Sequence, residues 1–132
     1  MTDDLSNFSS NWLKHIKKSY IQMGIIFLLY VEKDCTGYTI TESLRTRIGS
    51  LFTISAGSVY PQLNKLEEDD IVYSEIRSID SAFVRPNEPR KVYSLTTYGL
   101  SIINEVQSLW FELIALTNTF LDEIRIIKEE GY

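Results

Sequence analysis

Thr53-Ile-Ser-Ala-Gly-Ser-Val-Tyr-Pro-Gln-Leu-Asn-Lys-Leu-Glu-Glu-Asp-Asp-Ile-Val-Tyr73 reads as a cap, a helix of about three turns, a stop and the start of a strand. Ser55 stands at the N-cap, with a hydroxyl available to an early backbone amide. Val59, Leu63 and Leu66 fall at helical spacing, and Ser55, Ser58, Gln62 and Asn64 stand among them. Short donors and acceptors on an exposed helix face suit base edges and phosphates in a DNA major groove. They suit an ordinary solvated face equally well. Pro61 removes an amide donor inside the helix and should bend it. Glu67 to Asp70 oppose the helix dipole, so they must be solvated or ion-paired. Consecutive acids point to different sides and no histidine lies near, so the run does not read as a metal site. Asp70 closes the helix.

Downstream, residues 71–79 and 90–95 are rich in β-branched and aromatic types and read as an antiparallel pair. The loop from Asp80 to Pro89 contains Arg85-Pro-Asn-Glu-Pro. Arg77, Arg85, Arg90 and Lys91 flank its tip and make the most basic local patch in the chain. Upstream, a helix from about Tyr38 to Ile48 turns Ile40 or Thr41, Leu44 and Ile48 inward, and Gly49 stops it. Arg45 and Arg47 in its last turn complement the dipole, or else touch a phosphate.

Before that, residues 11–33 form an amphipathic helix. Its stripe is Leu13, Ile16, Tyr20, Met23, Phe27 and Tyr30, widened by Trp12, Ile26 and Val31. Lys14, Lys17 and Lys18 occupy the wet face. The helix should end near Lys33-Asp34, because Cys-Thr-Gly at 35–37 brings in a residue that tolerates positive φ.

Thr96-Thr97 caps the last element, a single helix of about thirty residues, the length that a coiled-coil seam needs to repeat. Ile103, Val106, Trp110, Leu113, Thr117, Phe120, Ile124 and Ile127 alternate by three and four as a heptad seam. Ile102, Leu109 and Leu116 add a second row. That is more apolar surface than a small domain covers, so the helix is expected to dimerise the chain.

At 132 residues the chain fits one domain with an attached oligomerisation element. No apolar run is long enough for a membrane span, and the acidic start, Met1-Thr-Asp-Asp, lacks the basic opening of a signal peptide. A single cysteine, Cys35, excludes an internal disulfide and points to a reducing compartment. The net charge of −5 argues against indiscriminate nucleic-acid affinity. Its distribution qualifies that, since residues 1–99 hold 11 Lys/Arg against 12 Asp/Glu and residues 100–132 hold 2 against 6. The first part is near neutral and can bind DNA if its basic groups share one face. His15 and Cys35 stand at no spacing that suggests a nucleophile and its base, so the chain does not read as an enzyme, and no cofactor is indicated.

Helix, helix, helix, strand, basic loop, strand, helix is the order of a winged helix-turn-helix, mainly α with a small β-hairpin (α+β). The residues also resemble the PadR-like transcriptional regulators in three pieces. These are Thr36-Gly-Tyr-Thr-Ile, Ser55-Ala-Gly-Ser-Val-Tyr-Pro-Gln-Leu-Asn-Lys-Leu-Glu-Glu, and Pro89-Arg-Lys-Val-Tyr-Ser-Leu-Thr-Thr-Tyr-Gly. The resemblance implies a homodimeric, cytoplasmic regulator of double-stranded DNA, often a repressor. It divides the chain into a DNA-binding domain at 1–95 and a dimerisation helix at 96–132.

Carried over by position, Ser55, Ser58, Tyr60, Gln62, Asn64 and Lys65 would face the major groove. Arg90 and Lys91 would lie on the wing at 77–95, with Arg85 at its tip, suited to a narrow minor groove. Phe8, Trp12 and Trp110 would line a pocket for a small aromatic effector at the dimer interface; core packing explains the same three residues. Two departures stand out. Thr36 occupies the place of the family's usual histidine, and Asp70 that of its usual helix-closing glycine. The alternative function is a winged-helix protein-interaction module that docks a partner through the acidic surface and does not bind DNA.

Overall fold

The long helix that opens the chain is apolar on nearly every side from Tyr20 to Val31, and the fold buries one side of it most deeply. The computed structural model describes residues 2–78 and 89–131, with side chains from residue 7 onward. Among these, α1 (Thr2–Glu32) leads through β1 (Asp34–Thr36) into α2 (Gly37–Ile48) and α3 (Ala56–Glu68). Then come β2 (Val72–Ser78), β3 (Pro89–Leu95), α4 (Thr97–Ser101) and α5 (Ile103–Glu129). Two compact units result, Met1–Leu100 and Ser101–Tyr132. The first has the element order of a winged helix.

The buried residues of α1 are Ile21, Ile25, Ile26, Leu28 and Leu29, of which Ile26 belongs to the expected stripe. The rest of that stripe differs, with Leu13, Tyr20, Met23 and Phe27 half-buried and Ile16 and Tyr30 exposed. From Tyr20 to Val31 the helix is apolar on nearly every side, so helical period alone does not fix which face meets the core. The expected stripe is partly covered, with Tyr20 against Phe52 at 5.5 Å between ring centroids, while Ile16, Tyr30 and Val31 are exposed. The core is completed by Ile40 and Leu44 of α2, Phe52 and Ile54 of the linker, and Val59, Leu63 and Leu66 of α3. All are apolar and nearly fully buried, the main source of folding free energy. Thr41, also buried, satisfies its hydroxyl on the Gly37 carbonyl at 2.8 Å.

The sheet has one strand more than the hairpin expected from sequence. Its order is β1-β3-β2, with both pairings antiparallel, Cys35 opposite Tyr93 and Val72 opposite Leu95. Three residues are too few for β1 to show the alternation that marks a strand. As the middle strand, β3 buries Val92, Tyr93, Ser94 and Leu95 in succession. Cys35 is buried opposite it, and burial pushes its thiol up to about 11. The residue is therefore inert packing rather than a nucleophile.

The left-handed residue that ends α1 is Lys33, with φ 75, and not the glycine at 37. Its amide still reaches the Leu29 carbonyl at 2.9 Å. Left-handed backbone costs a residue with a Cβ roughly 1–2 kcal/mol, and glycine gives back part of that as unfolded-state entropy. Lys33→Gly is therefore expected to stabilise the fold by about 0.5–1 kcal/mol. The gain should appear as a raised denaturant midpoint at unchanged slope. Gly49 likewise ends α2 in a right-handed conformation, φ −69. Asp70, where a glycine would be usual, takes φ 60, a region aspartate tolerates.

The last helix is interrupted. Thr96 starts α4 by accepting the Gly99 amide at 2.8 Å and donating to the Asp70 carbonyl at 2.6 Å. Helix α5 then starts after Ile102, so the expected single helix is two. A Cβ at Gly99 would lie 2.2 Å from the Ile71 carbonyl oxygen, so α4 is pressed against the start of β2. Among the described residues, no helix is long and apolar enough to cross a membrane.

Candidate nucleic-acid interface

Val59 and Leu63 are fully buried and Leu66 nearly so, which fixes the rotation of α3 about its axis. At about 100° per residue, Gly57, Pro61 and Glu68 then face directly outward. Tyr60 and Asn64 take one flank of that outward face, and Ser58, Gln62 and Lys65 the other. The five expected residues within α3 thus ring its outer surface instead of sharing a stripe, and Ser55 precedes it as the N-cap. Gly57, outside the expected set, lies near the centre of that outward face, where a helical projection of the sequence also places it. It is exposed, and a Cβ there would meet only the Ser55 hydroxyl, at 3.6 Å.

The N-terminus of α3 is closed chiefly through Ser58. Its hydroxyl accepts the Ser55 amide and donates to the Ser55 carbonyl, each at 2.9 Å. With that proton committed, Ser58 can accept from a ligand but has no hydrogen to give a phosphate. Ser55 itself is exposed. Pro61 lies beyond the first turn and offers no N–H to the Gly57 carbonyl, a cost the helix carries with an exposed ring.

Two of the candidates are held by other helices. The Tyr60 phenol passes over Gly37 at the start of α2, where a Cβ would come within 2.2 Å of its oxygen. The two sequence pieces Thr36-Gly37-Tyr38 and Tyr60-Pro61 therefore meet in space. Gly37→Ala is expected to push the Tyr60 ring out of place while costing little stability, because a side-chain tip can move. A changed tyrosine fluorescence at near-wild-type unfolding midpoint would show this. Thr36 caps the same helix, its hydroxyl accepting the Thr39 amide at 3.2 Å. Gln62 is half-buried, and its carbonyl accepts from the Gln22 side chain of α1 at 2.8 Å.

Asn64 and Lys65 are exposed. Lys65 pairs with Asp69 at 3.3 Å, a surface contact of small energy that a phosphate can displace. Glu67 accepts from the Ser74 hydroxyl at 3.2 Å and is turned towards β2. The acidic end of α3 is thus partly committed to the protein, while Glu68 still faces outward. Contacts with an anion belong to the first half of the helix.

On the hairpin the charges sort differently from the sequence pattern. Arg77 is neutralised, bonding Asp34 at 3.0 Å and Glu75 at 2.9 Å. Hydrogen bonds from Ser94 and then Arg77 lower the Asp34 pKa, so this network is present at neutral pH and weakens as acid protonates Asp34. Arg90 stands across from Arg77 in register, and both Arg90 and Lys91 are exposed. The Lys91 ammonium sits 5.7 Å from the centre of the Tyr93 ring. Arg85 lies outside the described residues. Arg45 is tied to the Ile54 carbonyl at 3.2 Å and to Glu42, so it braces the α2–α3 linker.

In the second unit, Ile103 is already buried and Val106 and Trp110 are half-buried. Every residue from Phe111 to Gly131 is exposed, including Leu113, Thr117, Phe120, Ile124 and Ile127 of the seam. Phe111, Ile114, Leu121 and Ile126 add further exposed apolar surface. On α1, Phe8 and Trp12 stack with centroids 5.0 Å apart and are exposed.

Residues 25–105 match the family model of the transcriptional regulator PadR-like family. A PadR family transcriptional regulator from Eggerthella lenta has a similar structure, with a TM-score of 0.68. It is 23% identical, over 89% of this chain and 96% of that one. A PadR family regulator from Clostridium difficile is 29% identical with a TM-score of 0.63, covering 77% of this chain and 98% of that one. PadR of Bacillus subtilis, solved in complex with operator DNA, matches with a TM-score of 0.52 and 22% identity. That match spans 67% of this chain and 45% of the other.

Proposed function

Because the chain belongs to the PadR-like family of transcriptional regulators, we propose that it is a homodimeric, sequence-specific DNA-binding repressor acting in the cytoplasm. Residues 1–95 read DNA and residues 96–132 pair the chains. The observation that carries this reading is α3, whose buried face is locked while its other surface offers amides, a phenol and a lysine. Tyr60, Gln62 and Asn64 face base edges, Ser55 and Lys65 lie at the sugar-phosphate boundary, and Ser58, with its proton committed, accepts from a base-edge donor. Arg90 and Lys91 hold the backbone from the wing, with Arg85 reaching the minor groove. The Bacillus subtilis relative solved on operator DNA supports the same use of the fold.

Dimerisation is supported by two sets of exposed apolar residues, the seam of α5 and Ile16, Tyr30 and Val31 of α1. Each is larger than a solvated helix requires. Two copies place two reading helices on one duplex, with half-sites about one helical turn apart. A bound dimer then excludes other proteins from that stretch of promoter, which is repression. The exposed Phe8–Trp12 pair is proposed as the contact for a small aromatic effector. A tryptophan-emission change with such a compound tests this, and a flat response across a panel removes it.

DNA reading is tested with the duplex upstream of the chain's own gene and a shuffled control. Selective binding is expected, with Arg90→Ala plus Lys91→Ala weakening it about tenfold or more through lost phosphate contacts. If the double variant and the parent bind both duplexes equally, the protein-interaction alternative takes its place.

A further inference from the structure

We propose that Gln22 determines base specificity at one operator position, by fixing which edge of the Gln62 amide faces DNA. The proposal rests on α3 being the DNA-reading helix. An unconstrained glutamine offers a carbonyl and an amide side by side, the pattern that pairs with adenine, whose N6 donates and N7 accepts. Gln62 is not unconstrained. Its carbonyl accepts from Gln22 at 2.8 Å, in a part-buried contact spanning forty positions of sequence.

The donor is rigidly mounted. Ile21 is 1% exposed and Ile25 0%, so the α1 backbone at Gln22 is fixed against the core. On α3, Leu63 beside Gln62 is fully buried, so the acceptor's backbone is fixed as well. With its carbonyl turned to α1, Gln62 presents its NH2 group, a donor without its paired acceptor. Guanine, through O6 and N7, answers a lone donor best and thymine answers it through O4; adenine offers only N7, beside an N6 donor that repels it. Gln22 is a positioning residue, acting on DNA only through Gln62.

The test is selection from a pool of randomised duplexes, followed by sequencing, with the full chain and three variants. The parent should prefer guanine or thymine at one position of each half-site. Gln62→Ala should lose that preference there alone. Gln22→Glu offers a carboxylate that accepts the Gln62 NH2 and turns its carbonyl outward. The same position should then move towards adenine or cytosine by about tenfold, the lower range of a single base contact. Gln22→Met, close in volume and without a donor, should admit adenine alongside guanine.

The added negative charge of glutamate weakens binding evenly across sequences, so the base preference is the readout that charge and general packing do not move. An adenine preference in the parent overturns the proposal. So does an unchanged profile in both Gln22 variants while Gln62→Ala loses the position, and in that case the DNA-reading role of α3 stands. If no protein in the set selects any sequence, the reading of α3 falls and this proposal with it.

Discussion

Leu113→Glu combined with Phe120→Glu is expected to convert the protein from a dimer to a monomer and to weaken operator binding at least a hundredfold. Both side chains are exposed in the single chain, so neither substitution removes packing that the chain itself makes. Burying one such side chain is worth about 1.5–3 kcal/mol, and a symmetric interface counts each position twice. The glutamates add carboxylates that would be desolvated without partners, a further penalty. Two such changes per chain therefore exceed the free energy of an ordinary dimer interface. A monomer retains one reading helix and loses the second half-site. Light scattering gives the mass, fluorescence anisotropy the affinity, and an unchanged circular dichroism spectrum excludes unfolding. A dimer of unchanged mass would show that α5 does not pair the chains.

Gly99→Ala is the substitution expected to cost most stability, about 3 kcal/mol, at the upper end for overpacking. The new methyl would meet backbone, the Ile71 carbonyl oxygen at 2.2 Å, and backbone cannot swing aside as a side-chain tip does. The same oxygen accepts from the Thr96 amide at 3.0 Å, so moving α4 away breaks the contact that anchors its start. Gly57→Ala is the internal control. Space around Gly57 is open and its φ is not left-handed, so alanine should leave the unfolding midpoint unchanged or raise it slightly. Equal destabilisation by the two would contradict this account of the α4 contact.

These contrasts show which features are legible in the residues alone. Helix α3 is legible because Val59, Leu63 and Leu66 leave one choice of inward face, and its two ends carry a serine and an acidic stop. The hairpin strands are legible from β-branched and aromatic residues on both sides of a proline-rich loop. The face of α1 is not, because a helix apolar nearly all round has no unique phase, and tertiary packing chose Ile21 and Ile25. Strand β1 is invisible because its pairing partner, β3, lies almost sixty residues away in sequence, and three residues carry no period. The break at Ile102 is not legible either, because the apolar helical spacing runs on through it. In the candidate site, residue type and position on α3 are legible, but commitment is not. Ser58, Gln62 and Arg77 each read as available groups, and each is already bonded within the fold.

The claim that matters most is that two copies of this acidic chain read DNA through α3. Titrating the upstream duplex by anisotropy at increasing salt, with the mass of the complex measured at each end, tests it most directly. Two chains per duplex are expected, with log affinity falling linearly against log salt at a slope near −0.9 for each phosphate neutralised. The shuffled duplex should bind at least a thousandfold more weakly, the low end of the range for specific readers. Binding that ignores salt, or ignores sequence, or involves a single chain would contradict the account.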